Sequence, residues 1–238
     1  MKSFKYYMLA ACVRAMTYLN KRKGWTTNRH IVVIESDDWG SIRMPSLEVR
    51  NELISKGVNI DSCIYDRIDT LEANTDLELL MEVLDSVKDG CGNPAKMTLD
   101  CVVANPNFEK IKANGFVKYE YELFTETLKR YPHHDRVFEL WKEGIRHNVF
   151  RPQFHGREHL NAYLWLMLLQ DKQPEVMKAF DKGVISMDID KGVDARGHVL
   201  AAYNVKNEEE KNFVVQSIRE GVDLFEQLFG YRSKSMIA

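Results

Sequence analysis

"VFRPQFHGREH", Val149–His159, reads as a β-strand that runs directly into two histidines. His155 and His159 are four residues apart, with Arg157 and Glu158 between them. Imidazoles at that spacing can share one tetrahedral ion, or can simply hydrogen-bond backbone carbonyls. The residue order, H-x-x-E-H, is also a metalloprotease signature, in which Glu158 would be the base and Glu220 or Glu226 the third ligand. That signature needs both histidines inside a helix. Pro152 just upstream and Gly156 in the second position argue instead for the end of a strand.

Working outward, apolar β-type runs alternate with helical patterns along the chain. "HIVVIES" (30–36) reads as a strand buried on both faces, "AKMTLDCVVANPNF" (95–108) as a second, "VFRPQF" as a third and "VISMDI" (184–189) as a fourth; "SKSMIA" closes the series. Helices are predicted for "SLEVRNELISKG" behind a Ser46 cap, "DLELLMEVLDSVKDG", "YELFTETLKRY", "HDRVFELWKEGIRHN", "REHLNAYLWLMLLQ", "QPEVMKAFDKG" and the long "NEEEKNFVVQSIREGVDLFEQLFG". Strands separated by one or two helices imply a parallel sheet with helical crossovers, as a (β/α) barrel or an open doubly wound sheet. In such folds the chemistry gathers where the strands end.

The first strand ends in "ESDDWG". Adjacent carboxylates at a strand end point in different directions, so one can ligate a metal while the other takes a proton from water; the competing reading is a turn cap beside a solvated acid. Trp39, next in line, can stack on a sugar ring or pack. Asn105, at the end of the second strand, can bond a sugar hydroxyl or form a turn with Pro106. Arg157 can pair with Asp37, with Glu158 or with a substrate oxygen. One Asp and two His with an open fourth position make a three-ligand catalytic metal site.

Together "ESDDWG" and "HGREH" resemble the two signature motifs of the polysaccharide deacetylase family, carbohydrate esterases with a chitooligosaccharide-deacetylase homology domain. The resemblance spans roughly residues 30 to 238. It implies a distorted or incomplete (β/α) barrel with mostly parallel strands. It implies Asp37 as general base and Asp38, His155 and His159 as ligands of a divalent metal, zinc being favoured. It also implies removal of acetyl groups from an acetylated sugar or polysaccharide. Three departures stand out. Trp39 is inserted before Gly40, Gly156 replaces the usual Ser or Thr, and "FGYRSKSMIA" lacks the expected Arg-x-Pro. No later strand supplies the family's acid histidine, and His198 precedes the long helix, a position that does not match it. The expectation is a domain over 30–238 whose last strands are missing, preceded by an amphipathic helix and linker over 1–29. A catalytically silent sugar-binding domain of the same fold is the alternative from outside enzymology.

Bulk properties fit this frame. The chain has 238 residues, 45% hydrophobic, with a formal net charge of −2. That is enough for one large core, and the overall charge gives no reason to expect a nucleic-acid or lipid partner. Cys12, Cys63, Cys91 and Cys101 have no C-x-x-C spacing and read as reduced thiols in a cytoplasmic protein. Near the start, only Met8–Val13 is continuously apolar before Arg14, short for a secretory core, and no segment reaches the roughly 20 apolar residues of a membrane span.

Overall fold

The computed structural model describes residues 8, 12–14, 16–19, 24–60 and 64–237; Cys63 and part of the segment 1–29 lie outside them. The chain forms two compact units, Met1–Val33 and Ile34–Ala238. In the first, residues 12–14 and 16–19 are helical and exposed.

The second unit is mixed α/β, centred on a parallel sheet of three strands in the order β1 (Glu35–Trp39), β2 (Met97–Val102), β5 (Phe150–Gly156). β2 lies in the middle because Leu99, Asp100, Cys101 and Val102 are all buried, whereas β1, an edge strand, alternates between exposed and half-buried positions. The register pairs Ser36 with Leu99 and Asp100 with Gln153, so the carboxyl ends of all three strands meet. Two short strands, β3 (Ala104–Pro106) and β4 (Tyr121–Leu123), pair antiparallel beside them. Among the described residues the strands do not close into a ring.

Side-chain alternation along the strands selects the packing. Leu99, Cys101, Phe150 and Phe154 enter one core with Trp141 of helix Val137–Arg146 and Phe225 of helix Glu208–Phe229. A second core gathers Trp165 of helix Ala162–Gln170, Phe180 of helix Pro174–Phe180, and Val184, Ile185 and Met187. Caps follow the sequence: Ser46 accepts from the Val49 amide ahead of helix Leu47–Ser55, Asn207 accepts from the Glu210 amide, and Gly230, with φ 74°, ends the long helix.

Several boundaries differ from the sequence reading. The first strand begins at Glu35, not His30; Val32 and Val33 are 85% and 73% exposed, because no element covers them. "AKMTLDCVVANPNF" holds two strands in different sheets. The chain turns at Val103, whose carbonyl accepts from the Phe124 amide, so β3 can meet β4, a strand hidden in the predicted helix "YELFTETLKRY". That helix is reduced to Phe124–Leu128. "VISMDI" is not a strand. Its apolar residues enter the second core, and its sheet-like pairing is limited to an antiparallel bridge between Asp188 and His198. "SKSMIA" likewise makes one parallel bridge, Met236 with Phe154, and side chains hold it instead: Gln153 Oε1 accepts from the Lys234 and Ser235 amides at 3.0 and 3.1 Å.

Gly144 is where helix Val137–Arg146 comes closest to the sheet. A Cβ there would lie 2.1 Å from Phe150 Cδ2. Gly→Ala in a helix normally gains about 1 kcal/mol, but overpacking a core costs about 1–3 kcal/mol, and three ring atoms within 2.7 Å put this site at the upper end. Gly144→Ala is therefore expected to lower unfolding free energy by about 2 kcal/mol, read as a lower urea midpoint. An unchanged or raised midpoint would show that Phe150 has room to move.

Candidate metal centre

His155 is the sixth residue of β5, and its imidazole is buried. Its Nδ1 lies 3.0 Å from the Ile237 carbonyl, a pairing that places a proton on Nδ1 and turns Nε2 toward Asp38. His159 sits in the loop between β5 and helix Ala162–Gln170. Asn161 fixes that loop by capping the helix (Leu164 amide to Oδ1, 3.0 Å) and by donating to the Asn204 carbonyl at 2.9 Å. The two rings lie 5.1 Å apart, centre to centre.

Asp38 completes the group through a backbone irregularity. The β1–β2 register slips between Ser36 and Trp39, and Asp38 takes φ 64°, in the left-handed region. The slip aims Asp38 across the strand ends. Its Oδ1 lies 3.2 Å from His155 Nε2 and 3.4 Å from His159 Nε2, while Oδ2 pairs with Arg43. One ligand atom from each of Asp38, His155 and His159 falls within 4.8 Å of the others, and among the described residues no other group of three such side chains does so. Two imidazole nitrogens and a carboxylate oxygen, with the His155 tautomer already set, are a donor set that fits a divalent cation.

Electrostatics hold the acid ionised. Burial pushes Asp38 up, but the His155 hydrogen bond and the charges of His159 and Arg43 outweigh it and hold the carboxyl below its ordinary range. Burial lowers His155, yet the Asp38 bond and charge raise it overall. Burial dominates at His159 and leaves it lowered.

The remaining expected residues separate. Asp37 is exposed and shares with Asp38 a cavity of about 290 Å³ that also holds Asp69, Glu72 and Asp76. Trp39 borders the same cavity, but its ring packs edge-on against Trp141 in the core. Asn105 is consumed by the fold: it accepts from the Ile42 amide and donates to the Gly40 carbonyl and Thr127. Arg157 grips Glu158 through two nitrogens at 2.6 and 2.8 Å and reaches Glu220 at 2.5 Å, away from Asp37. Neither histidine is helical, Glu158 and Glu220 are tied to Arg157, and Glu226 is bonded by Arg232, so the H-x-x-E-H protease arrangement does not form.

Three residues were not singled out as site residues from sequence. His198 lines a cavity of about 410 Å³ together with His155, His159, Leu200 and Tyr203, because the loop before the long helix folds back over the histidines. Tyr203 donates to the His155 carbonyl at 3.2 Å, and a Cβ on Gly156 would lie 2.7 Å from its hydroxyl, which accounts for glycine at that position. Asp100 is fully buried in β2, on the strand face of Gln153, and neither oxygen receives a donor; burial, aided by the Glu35 charge, pushes it up to about 6. A lone acid inside an apolar strand was the available signal for Asp100. Protein-family models, curated proteins and solved structures give no match to the chain.

Glu72 offers a test of the acidic cavity. Burial pushes its carboxyl up from 4.5 to about 7, against the Gly40 amide that donates to it at 3.2 Å. The folded state therefore binds the extra proton between those values, and stability falls as pH rises from about 4.5 to about 7. Glu72→Gln should remove up to about 3 kcal/mol of that fall, measured as unfolding free energy across the window. Superimposable profiles for the two proteins would mean that Glu72 is ionised throughout.

Proposed function

We propose that the chain is a metal-dependent hydrolase acting on carbohydrate, which removes N- or O-acetyl groups from a sugar or polysaccharide on an incomplete (β/α) barrel. The observation that carries this reading is the convergence of Asp38, His155 and His159 at the ends of two parallel strands. The acetylated sugar comes from the resemblance of the two motifs. Zinc is favoured by a His-His-carboxylate set, and the thiols of Cys12, Cys91 and Cys101, all unpaired, suit a cytoplasmic setting.

A divalent cation held by Asp38, His155 and His159 would supply a Lewis acid for the acyl carbonyl and the attacking water. Asp37, on the rim of the acidic cavity, takes the water proton as the water oxygen bonds to the acyl carbon. The bond from that carbon to the sugar nitrogen or oxygen breaks, and the leaving group takes up a proton. Two cavities meet at the Asp38–His155–His159 group, with Asp37 lining one and His198 the other. In this reading Asp37 is the base and His198 the proton donor, each approaching the scissile bond from its own cavity. Arg43 holds Asp38 in place, and Arg157 keeps Glu158 from acting as a competing base.

Four substitutions separate the roles. Asp38→Asn and His155→Ala should weaken divalent-cation affinity by at least about tenfold, by titration calorimetry and elemental analysis. Asp37→Asn and His198→Ala should retain the cation but slow hydrolysis of N-acetylated oligosaccharides by about 10²–10⁴. Equal cation loss in Asp37→Asn and Asp38→Asn would reverse base and ligand. A wild-type protein that takes up no divalent ion would end the reading.

A further inference from the structure

Charge is distributed very unevenly along the chain. Residues 1–34 contain seven Lys and Arg and no Asp or Glu, yet the whole chain is net −2, so everything from Glu35 onward is strongly acidic. The cations cluster at Lys2 and Lys5, at Arg14, at Lys21-Arg22-Lys23 and at Arg29. Overall charge conceals this.

The same segment exposes apolar side chains. Met8, Cys12, Met16 and Leu19 are helical and follow the spacing i, i+4, i+8, i+11, which places them within an arc of about 80°. Val13 flanks that arc and Arg14 lies away from it. Met16 and Leu19 are 61% and 59% exposed, and Trp25, beside the basic cluster, is 79% exposed. A stretch of chain that is all cation and no acid, with one apolar stripe and aromatic residues at its edge, has the composition of a helix that lies in a membrane interface. No helix of the described residues is long and apolar enough to cross a membrane.

We propose that Met1–Val33 is a surface anchor that docks on an anionic lipid bilayer, with Met8, Met16 and Leu19 entering the headgroup–acyl boundary and Lys21, Arg22 and Lys23 pairing with lipid phosphates. Charge complementarity selects an anionic surface, and the apolar stripe selects lipid over nucleic acid, whose backbone offers Met and Leu no partner. Trp25 belongs at headgroup depth, where its ring is half in hydrocarbon and its N–H meets water. The compact unit from Ile34 onward carries the candidate metal centre, so docking of Met1–Val33 would tether that centre to a membrane surface.

The test uses the full chain in sedimentation with phosphatidylcholine vesicles, with and without phosphatidylglycerol. Binding to the anionic vesicles is expected to be at least about tenfold tighter than to the neutral ones and to weaken with salt. Lys21→Glu/Arg22→Glu/Lys23→Glu should abolish the preference for anionic vesicles. Met16→Glu/Leu19→Glu should cut binding at least about tenfold while the thermal unfolding of the remainder is unchanged. Equal binding to both vesicle types, no binding to either, or preferential binding of polyuridylate would overturn the proposal. So would a shift of oligomeric state caused by the Met16/Leu19 variant, since the stripe would then be an interface between copies.

Discussion

One carboxylate is shared by three partners drawn from separate parts of the chain. Asp38, at the end of the edge strand, faces His155 on the last strand, His159 in the loop beyond it and Arg43 in the loop that follows its own strand. Regular alternation would put Asp38 and Asp37 on opposite faces of β1. The register slip and the left-handed backbone at Asp38 break that alternation, at a cost of about 1–2 kcal/mol for a residue with a Cβ. Such a conformation persists only when its surroundings over-determine it, and two imidazoles and a guanidinium do so here. Gly40 helps two residues later. It has φ 77° and lies where a Cβ would meet the Val102 carbonyl at 3.1 Å, so the chain leaves the strand at once, close against β2.

A second set of charges decides what the histidine motif is not. Arg157 is buried between the two histidines in sequence, yet its planar fork turns away from them, onto Glu158 and Glu220 and over the Tyr121 ring at 4.4 Å. Buried ion pairs contribute little net stability, because desolvation offsets attraction, but they fix orientation. Here the orientation removes Glu158 from the neighbourhood of the ligand nitrogens. The cluster Asp194–Arg196–Glu210, with Lys206, does the same for the loop over the histidines by tying it to the first turn of the long helix. That loop brings His198 and Tyr203 to the cavity, so its ion pairs act on the site from a distance.

The last residues of the described chain belong to the site as well. The Ile237 carbonyl sets which nitrogen of His155 carries the proton, and Gln153, two residues before His155 on the same strand, gathers the segment through the Lys234 and Ser235 amides. A segment that makes one sheet bridge thus fixes a ligand tautomer. The strand alternation that points Gln153 and His155 the same way couples the two.

By itself, the sequence determined the alternation of strands and helices, the parallel class of sheet, the cap at Ser46 and the stop at Gly230, because periodicity and capping are local and survive without knowledge of the partner. It also singled out Asp38, His155 and His159 as candidates for one site, and the fold brings them together, since residue type and position at strand ends are readable one segment at a time. What it misread were elements whose state depends on distant neighbours: Ile31–Val33, exposed instead of paired in a strand, and Val184–Ile189, apolar but drawn into a core instead of a ladder; for Trp39 and Asn105 it left a substrate role and a structural one both open, and both side chains are taken up by the fold. Only the tertiary structure decided that Asp38 turns out of its strand, that Arg157 holds Glu158 away from the histidines, and that His198 reaches their cavity. Each of these is settled by contacts between residues tens of positions apart, and no local pattern encodes which of a side chain's possible partners will be within reach.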